Sequence, residues 1–519
     1  MKKLFSIIVI VCMAMSLSAQ WSSDPSVNNI VYSNGETFGA LTATDEATGM
    51  TYIQWFVLSS SGMRPMMQLY NNQGVAQWQE NGIIISTNQN STALYGTALE
   101  VSSDGCALVA FADERNGDMN PFIYKISQTG EFLWGDNGVQ LSNLEAYRIY
   151  VYPCNDGSAW AAWYGETCYM RHINADGTTD PIITIENNSD FGHIICDDNN
   201  NAIMAYFHQT GGTFMWPNRE VKVCKYSTSG AQIWLSATLI QSYSYNFSTE
   251  LQLVSDGLGG GYVATIPVIN DRHQAVIGHF NSNGTATTPM AGAFASLESS
   301  AYNYYPSISV DPTTNNCIMF FRRSNVDENT YQLKGQCFTS TGSRLWTNTG
   351  ASFSGYNDYV YPITSASVPT GGAVLIYEFG NANNQSTIKA LRVDADGEFV
   401  WDNENVYLCS LASTKSPSHV CSGFHNGQLI YLWDDARTPQ GLYAQNLKLD
   451  GTLGPIQIST IIGDANGDGS VNVSDINTVV FYIITENEPE DFIFDNADVN
   501  GDNAIDIRDV VLIVNIIMQ

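Results

Sequence analysis

The chain has 519 residues, with 51 Asp and Glu against 21 Lys and Arg and a formal net charge of -30. So few cations argue against nucleic acid and anionic membranes as partners, because phosphate-rich surfaces are gripped by Lys and Arg. The seven His residues are dispersed with no zinc-ligand spacing, and neither a nucleophile elbow nor a phosphate loop occurs.

Met1-Lys-Lys is a basic start, Leu4 to Met15 is apolar but too short to span a bilayer, and Ser16-Leu-Ser-Ala19-Gln20 supplies small residues for cleavage. This pattern predicts a secretory signal peptide over residues 1–19. Val11 before Cys12 is too large for a lipoprotein signal, and no later segment has the length and apolarity of a membrane span. Nine cysteines follow Cys12, most in apolar runs and without metal or redox spacing, so buried thiols are expected and one or two disulfides stay open.

Residues 21–462 repeat. A turn ending in Gly recurs at Gly74, Gly130, Gly177, Gly230, Gly284, Gly342, Gly397 and Gly451, about 54 residues apart, with Trp four residues later at Trp78, Trp134, Trp234, Trp346 and Trp401. One full repeat reads as four short strands: Ala351–Ser354, Tyr359–Ser367, Ala373–Tyr377 and Thr387–Val393. Four strands per repeat and eight turns predict a mainly β fold, an eight-bladed β-propeller of four-stranded blades, with seven blades as the alternative. Asn28-Asn-Ile-Val-Tyr-Ser33 and Gly454-Pro-Ile-Gln-Ile-Ser459 are spare copies of one strand, and either can close the ring. The line Ala110-Phe-Ala-Asp-Glu-Arg115, echoed by Tyr431-Leu-Trp-Asp-Asp-Ala-Arg437, resembles repeats of bacterial secreted propeller proteins, a likeness of architecture that names no reaction.

Asp113, Glu114, Glu166, Asp271, Arg322, Arg323, Glu378, Asp434 and Asp435 follow second strands and are the candidates for acid-base work in a glycoside hydrolase or polysaccharide lyase. Their recurrence at equivalent hairpins favours turn salt bridges instead, so binding of a glycan or protein is preferred over catalysis. Trp55, Trp160, Trp163 and Trp433 are expected to pack between blades, whereas Trp216, in the polar loop 211–220, is the best candidate for a sugar platform.

Two twelve-residue loops close the chain, Asp464-Ala-Asn-Gly-Asp-Gly-Ser-Val-Asn-Val-Ser-Asp475 and, 34 residues on, Asp498-Val-Asn-Gly-Asp-Asn-Ala-Ile-Asp-Ile-Arg-Asp509. Calcium takes six to eight oxygens, and such a loop supplies them from positions 1, 3, 5, 7, 9 and 12. The first offers Asp464, Asn466, Asp468, the Ser470 carbonyl, Asn472 and Asp475; the second offers Asp498, Asn500, Asp502, the Ala504 carbonyl, Asp506 and Asp509. Two ions are therefore expected. Position 6 is Gly469 in one loop and Asn503 in the other, which predicts weaker binding by the second.

With Asp rather than Glu at position 12 and a helix only on the exit side, residues 463–519 resemble a type I dockerin, a small all-α calcium-folded module. The resemblance implies docking to a cohesin domain of an extracellular assembly, commonly one that handles polysaccharide. Ile476, Val479, Val480, Ile483 and Ile484, matched by Val510, Ile513, Val514, Ile517 and Met518, form two stripes that can face each other as a core. Val511, Leu512 and Ile516 lie off the stripe and are the expected partner surface.

Overall fold

The computed structural model describes residues 20–519 except 61, 89, 91–95, 357–358, 381–384, 457–460, 468–470, 486–488, 490–491, 503 and 519, and the side chains at 362, 363, 417, 419 and 495. The signal peptide expected at 1–19 lies outside the described residues. The chain divides into two compact units, residues 1–455 and 456–519.

The first unit holds eight antiparallel sheets. Their inner strands are Thr37–Thr44, Ala98–Val101, Arg148–Pro153, Ser189–Cys196, Gln252–Ser255, Tyr302–Val310, Tyr359–Ser367 and Lys415–Cys421, for blades 1 to 8. The second and third strands of a blade are covered on both faces by its neighbours, so they read as continuous apolar runs rather than alternating ones. In Ala107–Asp113 and Asn120–Ile126 every residue is buried. The core is accordingly split into one cluster per blade boundary. Phe56 and Val109 meet between blades 1 and 2, Trp163 and Ile123 between blades 2 and 3, and Trp433 and Val374 between blades 7 and 8.

The last boundary shows that the ring is closed. Asn29–Tyr32 pairs antiparallel with Gly441–Lys448 as the outer strand of blade 8, and Trp21 and Val31 join Trp55, Ile430 and Leu432 in one cluster. The N-terminal copy is thus the closing strand; the competing copy, 454–459, lies partly outside the described residues. The sequence repeat straddles sheets. Ala351–Ser352, which opens the seventh repeat, is hydrogen-bonded into blade 6.

The Gly–Trp spacing has a direct cause. Each turn glycine adopts positive φ (84° at Gly177, 85° at Gly397), and a Cβ there would come within 2.8 Å of the preceding blade's Trp134 or Trp346 ring. Only glycine permits both the left-handed turn and that approach. The indoles answer by donating Nε1–H to the same turns, Trp78 to Gln128 O at 2.7 Å and Trp401 to Leu449 O at 3.0 Å. Gly74 rests on Trp21 in the same way, so the N-terminal segment supplies the ring that blade 8 lacks. Blade 4 alone departs from four strands, gaining the hairpin Val268–Ile269 and Arg272–His273 at its outer edge.

Buried lysine and histidine side chains are matched to carboxylates in a repeating pattern. Lys125 pairs with Asp104 at 2.7 Å, Lys225 with Asp197 at 2.6 Å and His279 with Asp256 at 3.0 Å, each joining a third strand to the turn after an inner strand. His172 fills the same place beside Ser158. Two of the dispersed histidines are therefore members of this ladder rather than ligands. All nine described cysteines are free thiols, seven of them buried.

Candidate functional site

The second unit contains α1 (Val473–Thr485), α2 (Phe494–Ala497) and α3 (Ile507–Ile517). Asp475 and Asp509, at position 12 of each loop, fall in the first turns of α1 and α3, where carboxylates suit the helix dipole. Both are fully buried. Each ties its own loop shut in the same way. Asp475 accepts main-chain N–H from Asn466 at 3.1 Å and Asn472 at 2.8 Å; Asp509 accepts from Asn500 at 3.2 Å and Asp506 at 3.0 Å. These are positions 3 and 9 in both loops. Position 1 is also buried in both, at Asp464 and Asp498.

The donor chemistry fits a hard cation. Four carboxylates are withdrawn from water in a segment that, from Gly463 onward, has 12 acidic residues and one basic one. Burying that many like charges is unfavourable unless a metal compensates them. The one basic residue, Arg508, is 2.7 Å from both Asp502 and Asp506. Asp468, Ser470, Gly469 and Asn503 lie outside the described residues. Ala504 is exposed, and its N–H donates to Asp502 at 3.1 Å.

Ala465, Val479, Ala497, Val510 and Ile513 form the core of this unit, with Ile476, Val480 and Ile483 partly buried around it. The expected stripes are corrected at their ends: Ile484, Ile517 and Met518 are 75%, 36% and 80% exposed, Ile484 and Ile517 in the last turns of α1 and α3 and Met518 at the C-cap of α3. Of the expected partner surface, Val511 is 54% exposed, Ile516 is exposed and Leu512 is half-buried. Phe481 on α1 is also exposed, beside rather than on the duplicated pattern. Helix α2 also went unpredicted; it carries buried Asn496, which donates to Asp464 O at 2.9 Å and braces the first loop.

Residues 462–518 match the family model described as "Dockerin type I domain". The C-terminal unit is a type I dockerin domain. Dockerins of this type bind calcium and pair with cohesin domains, so the buried carboxylates have a place in that chemistry. No curated protein matches the chain. Solved structures similar to it include a protein of unknown function from Dyadobacter fermentans, 9% identical, TM-score 0.34, covering 60% of this chain and 94% of its own. Another is a polysaccharide lyase described as a PL25 ulvan lyase, 10% identical, TM-score 0.42, covering 80% and 97%. A third is the GH93 α-L-arabinofuranosidase of Fusarium graminearum, 9% identical, TM-score 0.31, covering 59% and 94%.

In the propeller, three of the nine candidate acids and bases, Asp113, Arg323 and Asp435, are held in ion pairs. Arg115 grips Asp113 at 2.6 Å, Arg323 binds Glu298, and Asp435 holds Lys415 at 2.9 Å and Arg437 at 3.2 Å. The Asp-x-Arg pairs are turn salt bridges. Trp55, Trp160, Trp163 and Trp433 are buried between blades, whereas Trp216 is 44% exposed at the tip of a hairpin, near the exposed rings of Phe214 and Phe247. The inner strands surround a channel of about 510 Å³, and Glu100 is among the residues that line it. Among the described residues, no helix is long and apolar enough to cross a membrane.

Proposed function

We propose that the protein is exported by its N-terminal signal, binds two calcium ions through its dockerin domain, and docks on a cohesin to place a glycan-binding propeller in an extracellular, polysaccharide-handling assembly. The observation that carries this is the identical treatment of Asp475 and Asp509: two buried carboxylates, each bonded to positions 3 and 9 of its own loop. Val511, Leu512 and Ile516, widened by Phe481, Ile484 and Met518, are the docking face, since apolar area left in water forfeits roughly 25 cal/mol per Å² that a partner would recover.

Val511→Asp is expected to keep calcium-dependent helicity and to weaken capture by a cohesin from the same organism at least about tenfold, or roughly 1.4 kcal/mol. Val479→Asp, in the core, should instead unfold the domain. Unchanged cohesin affinity in Val511→Asp refutes the face.

For the propeller, the rings exposed around Trp216 support sugar binding. A second reading, a glycosidase or lyase acting on O-glycosidic bonds, is favoured by one place: a cavity of about 290 Å³ lined by Asp434, Asp435 and Lys415, where burial pushes the Asp434 carboxyl up to about 6. A carboxyl held that high can donate a proton near neutrality. Screening the full-length protein against a polysaccharide panel for retention and for released reducing ends separates the two. Retention without release is the expected result; release assigns an enzyme.

A further inference from the structure

Arg322 lies near the end of the second strand of blade 6, Cys317–Ser324, and is only 9% exposed. Its guanidinium carbon lies 4.6 Å from the ring centroid of Tyr331, 4.8 Å from Tyr305, 5.3 Å from Tyr361 and 5.7 Å from Tyr304. Its Nε is fully buried and finds no acceptor among the described residues. Arg219 Nε and Arg323 Nη1 are likewise buried without an acceptor, but those side chains have a carboxylate partner. Arg323 is bound to Glu298, Arg219 to Asp190 and Arg148 to Glu250, and each of these is a neutralised pair. Ring quadrupoles attract the Arg322 charge but accept none of its five N–H groups conventionally, so the cation is held and its donors are left unmatched.

The cage is also built at a conformational cost. Tyr305 has φ of 53°, in the left-handed region that a bulky side chain rarely enters, at a bulge that interrupts the pairing between Tyr304 and Ser307. The bulge turns the Tyr305 ring onto that of Tyr361 in blade 7, 4.2 Å away. From the cage a line of rings runs across the hairpin face: Tyr304 to His273 at 5.0 Å, and His273 to Trp216 at 6.2 Å. The tyrosines are half-buried, so their rims reach solvent beside the cation.

We propose that this cage is a binding subsite for the oxyanion of an acidic sugar, a carboxylate or sulfate accepted by Arg322, with the pyranose faces packed along Tyr304, His273 and Trp216. A guanidinium is planar and offers paired N–H donors that match such oxyanions. The chain's overall negative charge does not forbid this, because at physiological ionic strength charges beyond about 8 Å are largely screened; the carboxylate at the rim of the cage is Glu328, which accepts from Tyr304 Oη at 3.0 Å. The inference rests on the reading of the propeller as a glycan binder and names the class of glycan.

The test is affinity electrophoresis of the full-length protein in gels containing polygalacturonate, dextran sulfate or neutral dextran. Retardation is expected in at least one anionic gel and not in dextran; which of the two acts identifies the carboxylate or the sulfate. Arg322→Gln should weaken that retardation at least about tenfold, Arg322→Lys should keep part of it, and Arg323→Gln should leave it largely unchanged. Equal binding by Arg322→Gln overturns the subsite. If Arg322→Gln does not fold, the wild-type melting temperature decides: a rise with the anionic polymer alone supports the subsite, and an equal rise with dextran overturns it. Retention by dextran alone removes the acidic subsite but keeps a glycan binder. Retention by none of the three removes both.

Discussion

Chelation of calcium is expected to unfold residues 463–519 and release the protein from its cohesin, while the propeller stays folded. The domain's core is five small or medium side chains, Ala465, Val479, Ala497, Val510 and Ile513, which is too little apolar area to hold three helices alone. Against it stand the buried acids Asp464, Asp475, Asp498 and Asp509, which repel one another without an ion. One site filled at a hundredfold excess over its Kd adds about 2.7 kcal/mol, so two sites supply most of such a domain's stability. Far-ultraviolet circular dichroism should lose its helical signal on chelation and regain it with calcium. A signal indifferent to the chelator would falsify this account.

The two loops should not contribute equally. Position 6 is Gly469 in the first loop and Asn503 in the second, and a left-handed turn suits glycine better; Arg508 also holds Asp502 and Asp506 of the second loop, where the first loop has Ser474. Calcium must displace that guanidinium. Calorimetric titration of Asp509→Ala should therefore retain the tighter site, and Asp475→Ala the weaker one; the opposite order contradicts both arguments.

The second large effect concerns ring closure. Removing residues 20–33 takes away the outer strand Asn29–Tyr32, the Trp21 ring under Gly74, and Asn28, whose amide donates to Leu408 O at 2.8 Å and Gln445 at 3.0 Å. Arg437 also loses its bond to Asn28, at 2.9 Å. Truncating a buried Trp alone costs about 3–5 kcal/mol, so Trp21→Ala should lower the unfolding midpoint clearly and the deletion should abolish a cooperative transition. The strand's loss would also leave Gly441–Lys448 as an unpaired edge, prone to association. Denaturant unfolding with light scattering measures both. A deletion variant that unfolds like the parent would mean that blade 8 is completed by other residues.

Much of this molecule is legible in the order of its residues because the governing constraints are local. A turn glycine with φ between 80° and 85° recurs in all eight blades, with a Trp four residues on in five of them, so the eight blades can be counted from the turns. The calcium loops are equally local, since six ligand positions within twelve residues determine the chemistry before any distant contact forms. Tertiary structure decided what depends on partners far along the chain. Either spare strand satisfied the pattern, and only the interface around Trp21, Trp55 and Leu432 selected the N-terminal one. Ile484, Ile517 and Met518 share the core's periodicity but lie at the helix ends, where little of the other helix is left to cover them, which spacing does not register. Arg322 and Arg323 are adjacent and chemically the same, yet neighbours on a strand point to opposite faces. One therefore enters the space holding Glu298 and the other the space walled by four tyrosines, and that division of faces between successive blades is a property of the closed ring, not of the dipeptide.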